Sequence, residues 1–219
     1  MTSLLLVRHG VTEENLRHVL IGRTDPPLHP LGVLQARAAA RELAPTPLRR
    51  IVSSPLARAV ATADWIARLH PGTPRAQDAR LAEIDLGIVD GMSSFAAFDR
   101  YPELFARALD EDAADFGFPQ GETRTAALAR FSAALRDITG QDPQGAVCVV
   151  THGGAVGLWI ARHKGLALGR LRACQPAHGA IVRARWSRAD GYTIDRENDV
   201  GHLSAALRAR IEQARHQIP

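Results

Sequence analysis

The segment LLLVRHG, residues 4–10, carries the strongest signal for the fold of this chain. Four consecutive apolar residues predict a buried strand, and this strand ends directly on Arg8 and His9, two strongly polar side chains, followed by a glycine. The same pattern returns as VVTHGG at residues 149–154, where His152 follows a second apolar run. Apolar runs without alternation are typical of strands buried on both faces of a parallel sheet. We therefore expect two strands of one sheet to end on functional side chains.

The predicted elements around these strands alternate. Strands are predicted at residues 3–7, 51–53 and 146–150, and helices at residues 31–43, 56–69 and 154–163. Ser54 is predicted as the N-cap of the second of these helices, with Pro55 at its first position. A closing hairpin is predicted at residues 179–187 and 192–196, and a solvated helix at residues 205–219. The alternation favours an α/β fold, a three-layer α/β/α sandwich around a mostly parallel sheet.

Residues 93–139 interrupt this alternation. They are mostly helical in pattern and hold all six phenylalanines of the chain. Because no linker rich in glycine and serine isolates them, we expect a single domain over residues 1–219, with this segment inserted as a helical cap. Most of its aromatic side chains are expected to pin the cap to the sheet, and whether any of them lines a site is left open.

Composition and charge narrow the classes of function. The apolar residues, 46% of the chain, occur in runs too short for a membrane span or a secretory signal, so we expect a cytoplasmic protein without a membrane partner. Cys148 lies in an apolar run and is expected in the core rather than in a disulfide. The net charge of +4 comes almost wholly from arginine, spread along the chain without a basic run among aromatics. This pattern argues against a nucleic-acid partner and suits a small anionic substrate.

Candidate functional residues follow three predicted strands. Arg8 and His9 follow the first, Arg58 lies in the first helical turn after the second, and His152 with Gly153 follows the third. The carboxyl ends of parallel strands meet at one edge of a sheet, where helix N-termini offer free N–H groups. Two arginines and two histidines at this edge predict a pocket for a dianion. A phosphoryl group is the natural candidate, since arginine binds it through forked hydrogen bonds.

The histidines suggest catalysis as well as binding. A neutral imidazole is a competent nucleophile, so one histidine can attack phosphorus while the other, if protonated, holds the oxygens. The leaving oxygen needs a proton, which either Glu83 or Asp85 could supply, and spacing does not choose between them. Zinc is a competing use of the two histidines. However, the sequence has no cysteine pair, no H-E-x-x-H motif and no carboxylate at ligand spacing beside them, so metal is the weaker hypothesis.

A series of motifs resembles the histidine phosphatase superfamily, in its phosphoglycerate-mutase-like branch. They span nearly the whole chain in the order of the family: RHGVT at residues 8–12 with Asn15, GRTDPPL at 22–28, LG at 31–32, QA at 35–36, SSPLARA at 53–59, TA at 62–63, then Leu81, Glu83 and Gly87, PQGET at 119–123, THG at 151–153, and finally Asn198-Asp199 and His202-Leu203. A lone RHG would be weak evidence, whereas the whole series is specific.

The resemblance implies a role for each candidate. His9 would become phosphorylated, and Glu83 would protonate the leaving oxygen and then activate water, which decides for Glu83 over Asp85. Five residues would hold the phosphoryl oxygens: Arg8, Asn15, Arg58, His152 and the backbone of Gly153. Two further residues within the shared motifs are substrate-binding candidates: Thr12 and Gly22. Relatives of this kind use no metal ion, and we expect no cofactor.

The chain departs from the family pattern in three places. Relatives often carry W-E-G where this chain has Val89-Asp90-Gly91, so an aromatic packing residue is lost. Many relatives place an arginine or lysine five residues after the second histidine, where this chain has Gly157. In the segment AHGA, residues 177–180, relatives tend to have an asparagine, and His178 is expected in a surface loop, with a position facing the pocket as the alternative.

The cap decides between related activities. Mutase relatives hold a phosphoglycerate carboxylate with a lysine and paired arginines, whereas residues 93–139 contain no lysine and no Arg-Arg pair. The cap instead resembles the short cap of α-ribazole phosphatase-like and broad-specificity phosphatases. We therefore predict hydrolysis of a small-molecule phosphate ester. A cofactor-dependent phosphoglycerate mutase and an inactive module that binds phosphorylated ligands are the alternatives, and a homodimer is left open.

Overall fold

The computed structural model describes residues 1–112, 115–141 and 145–217. Within these ranges six strands form one sheet: β1 (Thr2–Arg8), β2 (Leu48–Ser53), β3 (Arg75–Gln77), β4 (Gly145–Thr151), β5 (Ile181–Ser187) and β6 (Gly191–Asp199). Their order across the sheet is β3-β2-β4-β1-β5-β6. The first four pair in parallel, and β5 and β6 add an antiparallel edge. The predicted parallel sheet and closing hairpin are confirmed. The short edge strand β3 was not predicted, because its residues are exposed and form no apolar run.

The same ranges contain eight α-helices: α1 (Glu13–Leu16), α2 (Pro30–Leu43), α3 (Ala57–Arg68), α4 (Ser94–Arg100), α5 (Pro102–Leu109), α6 (Arg124–Gln141), α7 (Gly153–His163) and α8 (Ala205–Gln217). Short 3₁₀ helices lie at Ala79–Leu81, Gly87–Val89 and Leu168–Cys174. The prediction of Ser54 as the N-cap of α3 is wrong: Leu56 precedes the first turn, and the hydroxyl of Ser54 lies instead 2.8 Å from His152. Of the helices described, none combines the length and apolarity needed to cross a membrane.

Strand β1 is buried on both faces. Successive side chains of a strand point to opposite sides. Leu4 and Leu6 join the core covered by α6 and α7, whereas Leu5 and Val7 join the core under α2 and α3. The free energy gained by burying each such side chain is about 1.5–3 kcal/mol, which explains why the strand is apolar without alternation. The three-layer α/β/α sandwich is thereby confirmed.

The segment predicted as a cap divides between two places. Helices α4 and α5 pack through Ala97 and Phe105 in a small cluster with Val89, apart from the two sheet cores. Helix α6 instead buries Phe131 and Leu135 against the sheet, so it forms part of an outer layer of the sandwich. The description of residues 93–139 as one inserted cap stays a prediction.

Two smaller expectations are also answered. Cys148 is fully buried in β4 and free, as predicted, and burial raises the pKa of its thiol to about 12. The prediction that the C-terminal helix is simply solvated is wrong for one face of α8. Leu207 and Ile211 are buried there against Leu16 and Leu31, because every third or fourth residue of this helix is apolar.

Candidate active site

The ends of β1 and β4 place two histidines side by side. Arg8 pairs with Thr151 across the two strands, and the N–H of His9 donates to the carbonyl of Thr151 at 3.0 Å. The ring centroids of His9 and His152 are therefore only 5.1 Å apart. Arg58 reaches this pair from the first turn of α3, with its Nε 3.3 Å from Nε2 of His9. The structure thus brings together the polar groups that the sequence placed at three strand ends.

His9 is held in one protonation state and one tautomer. Its Nδ1 lies 2.7 Å from the carbonyl oxygen of Gly10, and because a carbonyl only accepts, Nδ1 carries the proton. Nε2 consequently keeps its lone pair, toward which Arg58 donates. Burial, followed by the charges of Arg58 and Arg8, holds the pKa of His9 well below the usual 6.5. His9 is therefore a neutral imidazole whose Nε2 can act as a nucleophile.

Main-chain carbonyls orient the Arg58 guanidinium. Arg58 is 1% exposed, and its two terminal nitrogens donate to the carbonyls of Thr24 at 2.8 Å and Gly22 at 3.0 Å. Burial lowers the pKa of Arg58, and the carboxylates of Glu83 and Asp25 act in the opposite sense. Gly22, predicted to bind substrate, thus accepts a hydrogen bond from Arg58 through its main-chain carbonyl.

Asp90 in turn fixes the loop that carries these carbonyls. Its carboxylate accepts hydrogen bonds from the backbone N–H groups of Gly22, Arg23 and Thr24 at 2.8, 2.7 and 2.9 Å. Burial alone would raise the pKa of Asp90, but these three donors outweigh it and the pKa is lowered. The sequence marked this position only as a departure from W-E-G, so its positioning role for Arg58 was missed.

Arg8 is pinned by the chain beyond the fourth strand. Its Nη1 donates to the carbonyl of Pro176 at 2.7 Å, and its Nη2 lies 2.8 Å from Nε2 of His178. Burial lowers the pKa of Arg8 to about 10, with Glu83 opposing the shift. Gly153 allows this position, because a Cβ there would lie 2.5 Å from Cζ of Arg8. The predicted part of Gly153 in the phosphate site therefore includes making room for a guanidinium.

The expectation that His178 lies in a surface loop is wrong. It is buried, and its ring centroid is 5.4 Å from that of His9. Gln35 donates to the carbonyl of His178 at 2.7 Å, and the N–H of Gly179 donates to the carbonyl of Arg8, so the segment folds back onto the end of β1. Since Arg8 can only donate, Nε2 of His178 accepts and the ring is neutral. Burial, then Arg8, holds the pKa of His178 well below 6.5.

His152 is the third buried imidazole of the site. Its Nε2 lies 2.8 Å from Oγ of Ser54, and its Nδ1 is buried without a partner in the described part of the chain. Burial, then the neighbouring His9 and Arg58, holds the pKa of His152 well below 6.5. The surroundings of His152 are therefore strongly positive, as a site that receives a dianion requires.

The carboxylate of Glu83 lies against the N-terminus of α7. The N–H groups of Gly154 and Ala155 donate to its two carboxyl oxygens, each at 2.9 Å. Arg130 holds the chain around Glu83 by donating to the carbonyls of Ala82 and Glu83 at 2.7 and 2.9 Å. The carboxylate of Asp85 instead accepts from the N–H of Gly87 two residues on, closing a local turn. Both carboxylates border the same cavity, but only Glu83 bonds to the start of α7, beside His152 and Gly153, which are predicted to bind phosphate.

Asn15 and Thr12 form a capping box at the start of α1. The hydroxyl of Thr12 accepts from the N–H of Asn15 at 3.2 Å, and the side-chain oxygen of Asn15 accepts from the N–H of Thr12 at 3.1 Å. Asn15 borders the cavity, whereas Thr12 is fully buried and serves as the N-cap. A substrate in the cavity can therefore reach the side chain of Asn15, whereas the side chain of Thr12 is covered by the protein.

A cavity of about 790 Å³ connects the site to the surface. Of the site residues described above, Arg8, Asn15, Glu83, Asp85 and Gly154 line it. Five phenylalanines line the remainder: Phe95, Phe98, Phe105, Phe116 and Phe118. That most cap aromatics pin the cap stays a prediction: Phe105 and Phe116 are buried and Phe105 packs with Val89 and Ala97, and both rings also line the cavity. Within the described ranges no group of three or more His, Cys, Asp or Glu side chains is placed to hold a metal ion.

Comparisons with known proteins agree with this geometry. The "Probable phosphoglycerate mutase GpmB" of Proteus mirabilis is 31% identical over 209 residues, which are 93% of this chain and 96% of that protein. The solved structure of Bacillus stearothermophilus YhfR is 26% identical, with a TM-score of 0.86, and the match covers 93% of this chain and 100% of that one. A mycobacterial glucosyl-3-phosphoglycerate phosphatase, solved with vanadate, is 26% identical with a TM-score of 0.80, over 90% of this chain and 99% of that one. Residues 4–200 match the family model described as "Histidine phosphatase superfamily (branch 1)", and the chain belongs to this superfamily.

Proposed function

We propose that this protein is a metal-independent phosphatase that hydrolyses phosphate monoesters of small molecules through a phosphohistidine intermediate on His9. The observation that carries the proposal is the state of His9. Its Nδ1 proton is engaged by the carbonyl of Gly10, its pKa is far below 6.5, and its Nε2 lone pair lies beside Arg58. Membership of the superfamily supports the same chemistry.

In the first half of the reaction Nε2 of His9 attacks phosphorus, and the bond between phosphorus and the ester oxygen breaks. Arg8 and Arg58 offer fixed N–H donors to the phosphoryl oxygens, so no reorganisation is needed as charge shifts. Glu83 gives its proton to the departing oxygen, which leaves as an alcohol. The bound dianion offsets the positive field around His152, so that this imidazole can take up a proton and donate to an oxygen.

In the second half, water attacks the phosphorus of phosphohistidine. Glu83, now a carboxylate, takes one proton of this water, and the phosphorus–nitrogen bond breaks with its electron pair returning to Nε2. Inorganic phosphate leaves, and His9 and Glu83 are back in their starting states. No group other than water is consumed in this step.

The cavity supports a bulky, partly apolar leaving group. A volume of about 790 Å³ exceeds the needs of a three-carbon acid, and phenylalanines dominate its outer part. Apolar walls with a few convergent polar groups are typical of sites for drug-sized molecules. We therefore favour esters of aryl or nucleoside-like alcohols over short polar ones.

Phosphoglycerate mutase activity is the second candidate, because the curated relative from Proteus mirabilis carries that name. Against it, the only lysine of the chain lies at the end of α7 and pairs with Glu197 at 3.0 Å, so it is engaged away from the cavity. A binding module without turnover is the third candidate, since the same clamp would hold a phosphoryl group without hydrolysing it.

A phosphorus-NMR time course in EDTA separates the three. The panel contains p-nitrophenyl phosphate, a nucleoside monophosphate, sugar phosphates, α-ribazole phosphate, and 3-phosphoglycerate with a bisphosphoglycerate primer. We expect inorganic phosphate from at least one ester, fastest for a bulky one, and none from the His9→Ala variant. Conversion of 3- to 2-phosphoglycerate would establish the mutase. Tight binding of vanadate without any turnover would leave the binding module.

A further inference from the structure

One wall of the cavity carries an arginine whose side chain is not fully satisfied. Arg124 begins α6 and is 5% exposed. Its Nη2 donates to the carbonyl of Ala108 at 2.6 Å, and its guanidinium lies 5.3 Å from the ring centroid of Phe116. Its Nη1 is buried and has no hydrogen-bond partner among the residues described. A buried charged donor left without a partner costs more free energy than a neutral one, so the position calls for an explanation.

A second arginine borders the same cavity. Arg172 lies in the 3₁₀ helix Leu168–Cys174 and is exposed, so a ligand can reach it. This helix approaches the site because α7 carries Gly157, where a Cβ would lie 2.5 Å from the carbonyl oxygen of Leu171. The pKa of Arg124 is lowered first by burial and next by the charge of Arg172. Two like charges are therefore held near one another at the edge of a partly apolar cavity.

Nearby carboxylates do not neutralise the pair. Asp110 and Asp115 act on Arg124 electrostatically, but in the described ranges neither forms an ion pair with it. The carboxylate of Asp115 accepts from the N–H of Thr125 at 3.0 Å. Glu111 pairs instead with Arg170, at 3.2 Å, on the same 3₁₀ helix. Arg170 thus has a partner on the protein, whereas no ion pair of Arg172 is found in the same ranges.

The chain itself links this wall to the phosphate site. Pro176, whose carbonyl holds Arg8, follows Arg172 by four residues, and Gln175 between them also borders the cavity. Four residues span at most about 14 Å, so Arg172 lies within the length of one small molecule from the Arg8 contact at Pro176, and Arg124 lines the same cavity.

We propose that the substrate is a phosphate monoester whose alcohol carries a second anionic group, a carboxylate or another phosphate, bound by Arg172 and supported by the charge and free N–H of Arg124. An apolar body between the two anionic groups fills the part of the cavity lined by phenylalanines. This inference rests on the proposed function, of which it names the substrate class. Arg172 and Arg124 are specificity residues in this scheme, outside the groups that touch the reacting phosphorus.

Matched esters test the inference. 4-Carboxyphenyl phosphate, its methyl ester and 1,4-phenylene bisphosphate are compared on the wild type and on Arg172→Gln, Arg124→Gln and Arg170→Gln. A charge-assisted hydrogen bond is worth about 1.5–3 kcal/mol, so the charged esters should exceed the neutral one by about 10- to 100-fold in kcat/KM, mainly through KM. Arg172→Gln should remove this preference by lowering kcat/KM for the charged esters to the level of the neutral one, while Arg170→Gln, which lies outside the proposed binding site and has its charge paired with Glu111, keeps the preference. The ratio between carboxylate and phosphate shows which anion the site prefers.

Equal kcat/KM for charged and neutral esters would overturn the inference, as would an undiminished preference in Arg172→Gln. If Arg124→Gln does not fold, the exposed Arg172 still provides the test. Calorimetry with the non-hydrolysable 4-(phosphonomethyl)benzoate and its methyl ester adds a readout that is independent of turnover. If the wild-type protein hydrolyses no ester but binds the charged phosphonate more tightly than its methyl ester, the proposed phosphatase function is refuted and the second anion site stands. If it hydrolyses charged and neutral esters equally well, the phosphatase function stands and the second anion site is refuted.

Discussion

Replacing Gly153 by alanine should displace the guanidinium of Arg8 while leaving the fold intact. The new Cβ would lie 2.5 Å from Cζ, 2.7 Å from Nη1 and 2.8 Å from Nε of Arg8. Contacts between such atoms are comfortable at about 3.5–4.0 Å, so the guanidinium must move by about 1 Å. Gly153 is the first residue of α7, so the helix-interior preference for alanine applies there only in part, and the lost contacts of the buried Arg8 oppose it. Activity should therefore fall far more than stability.

The size of the effect follows from what holds Arg8. A shift of about 1 Å cannot preserve both the 2.7 Å bond from Nη1 to Pro176 and the 2.8 Å contact from Nη2 to His178. Removing one preorganised donor from a charged transition state costs about 10²–10³ in rate. We therefore expect kcat/KM of Gly153→Ala to fall by about 100-fold or more.

The neighbouring glycine provides a matched control. A Cβ at Gly154 would lie 2.6 Å from Oε1 of Glu83, so Gly154→Ala disturbs the proposed acid and not the clamp. p-Nitrophenolate leaves without a proton, whereas an alkoxide does not. Gly153→Ala should thus slow p-nitrophenyl and alkyl phosphates equally, and Gly154→Ala should slow the alkyl esters more. Steady-state kinetics with both esters, beside thermal denaturation, give the answer. Wild-type kcat/KM in Gly153→Ala, or the same ester dependence in both variants, would refute these assignments.

Two further expectations follow from the surroundings of the clamp. Asp90→Asn removes the negative charge that holds the backbone N–H groups of residues 22–24, and with them the carbonyls that orient Arg58. Vanadate should therefore bind about tenfold more weakly to Asp90→Asn, and Asp90→Glu should recover part of the loss. Unchanged vanadate affinity in Asp90→Asn would contradict the positioning role of Asp90. Because the pKa of His178, like those of His9 and His152, is lowered by burial, the unfolded chain binds protons that the folded one does not, and the unfolding free energy should fall as pH drops below about 6.5. Denaturation from pH 7.5 to 5 should show a shallower slope in His178→Asn, with the difference rising to about 1.4 kcal/mol per pH unit at the acid end, and an unchanged slope would mean that His178 is protonated in the native state.

The core of the site was predictable because strand ends are visible in sequence. The apolar runs before His9 and His152, with Arg58 in the next helical turn, placed three groups at one edge of the sheet. Parallel pairing then required them to converge. The choice of Glu83 over Asp85 needed the family resemblance, since both lie in one irregular segment whose turns have no periodicity.

The supporting residues could not be predicted, for a physical reason. Asp90 acts on backbone N–H groups up to 68 residues away, and His178 meets Arg8 across 170 residues. Such contacts depend on how loops fold over the sheet, and loops leave no hydrophobic period in the sequence. Likewise α6 looked like part of the cap, because Phe131 gives no sign in sequence of which surface it will cover.

The position of β1 in the sheet has a consequence for the time at which the protein becomes an enzyme. Its neighbours on either side, β4 and β5, are both contributed by residues beyond position 144. Contacts between residues so distant in sequence form late and slowly, because the chain loses the conformational entropy of closing a long loop before the contacts contribute any free energy. A chain emerging from the ribosome therefore carries His9 early but cannot assemble the proposed active site around it until the last third has been made. Recovery of turnover during refolding would accordingly report the closing of the whole sheet rather than the formation of any local element.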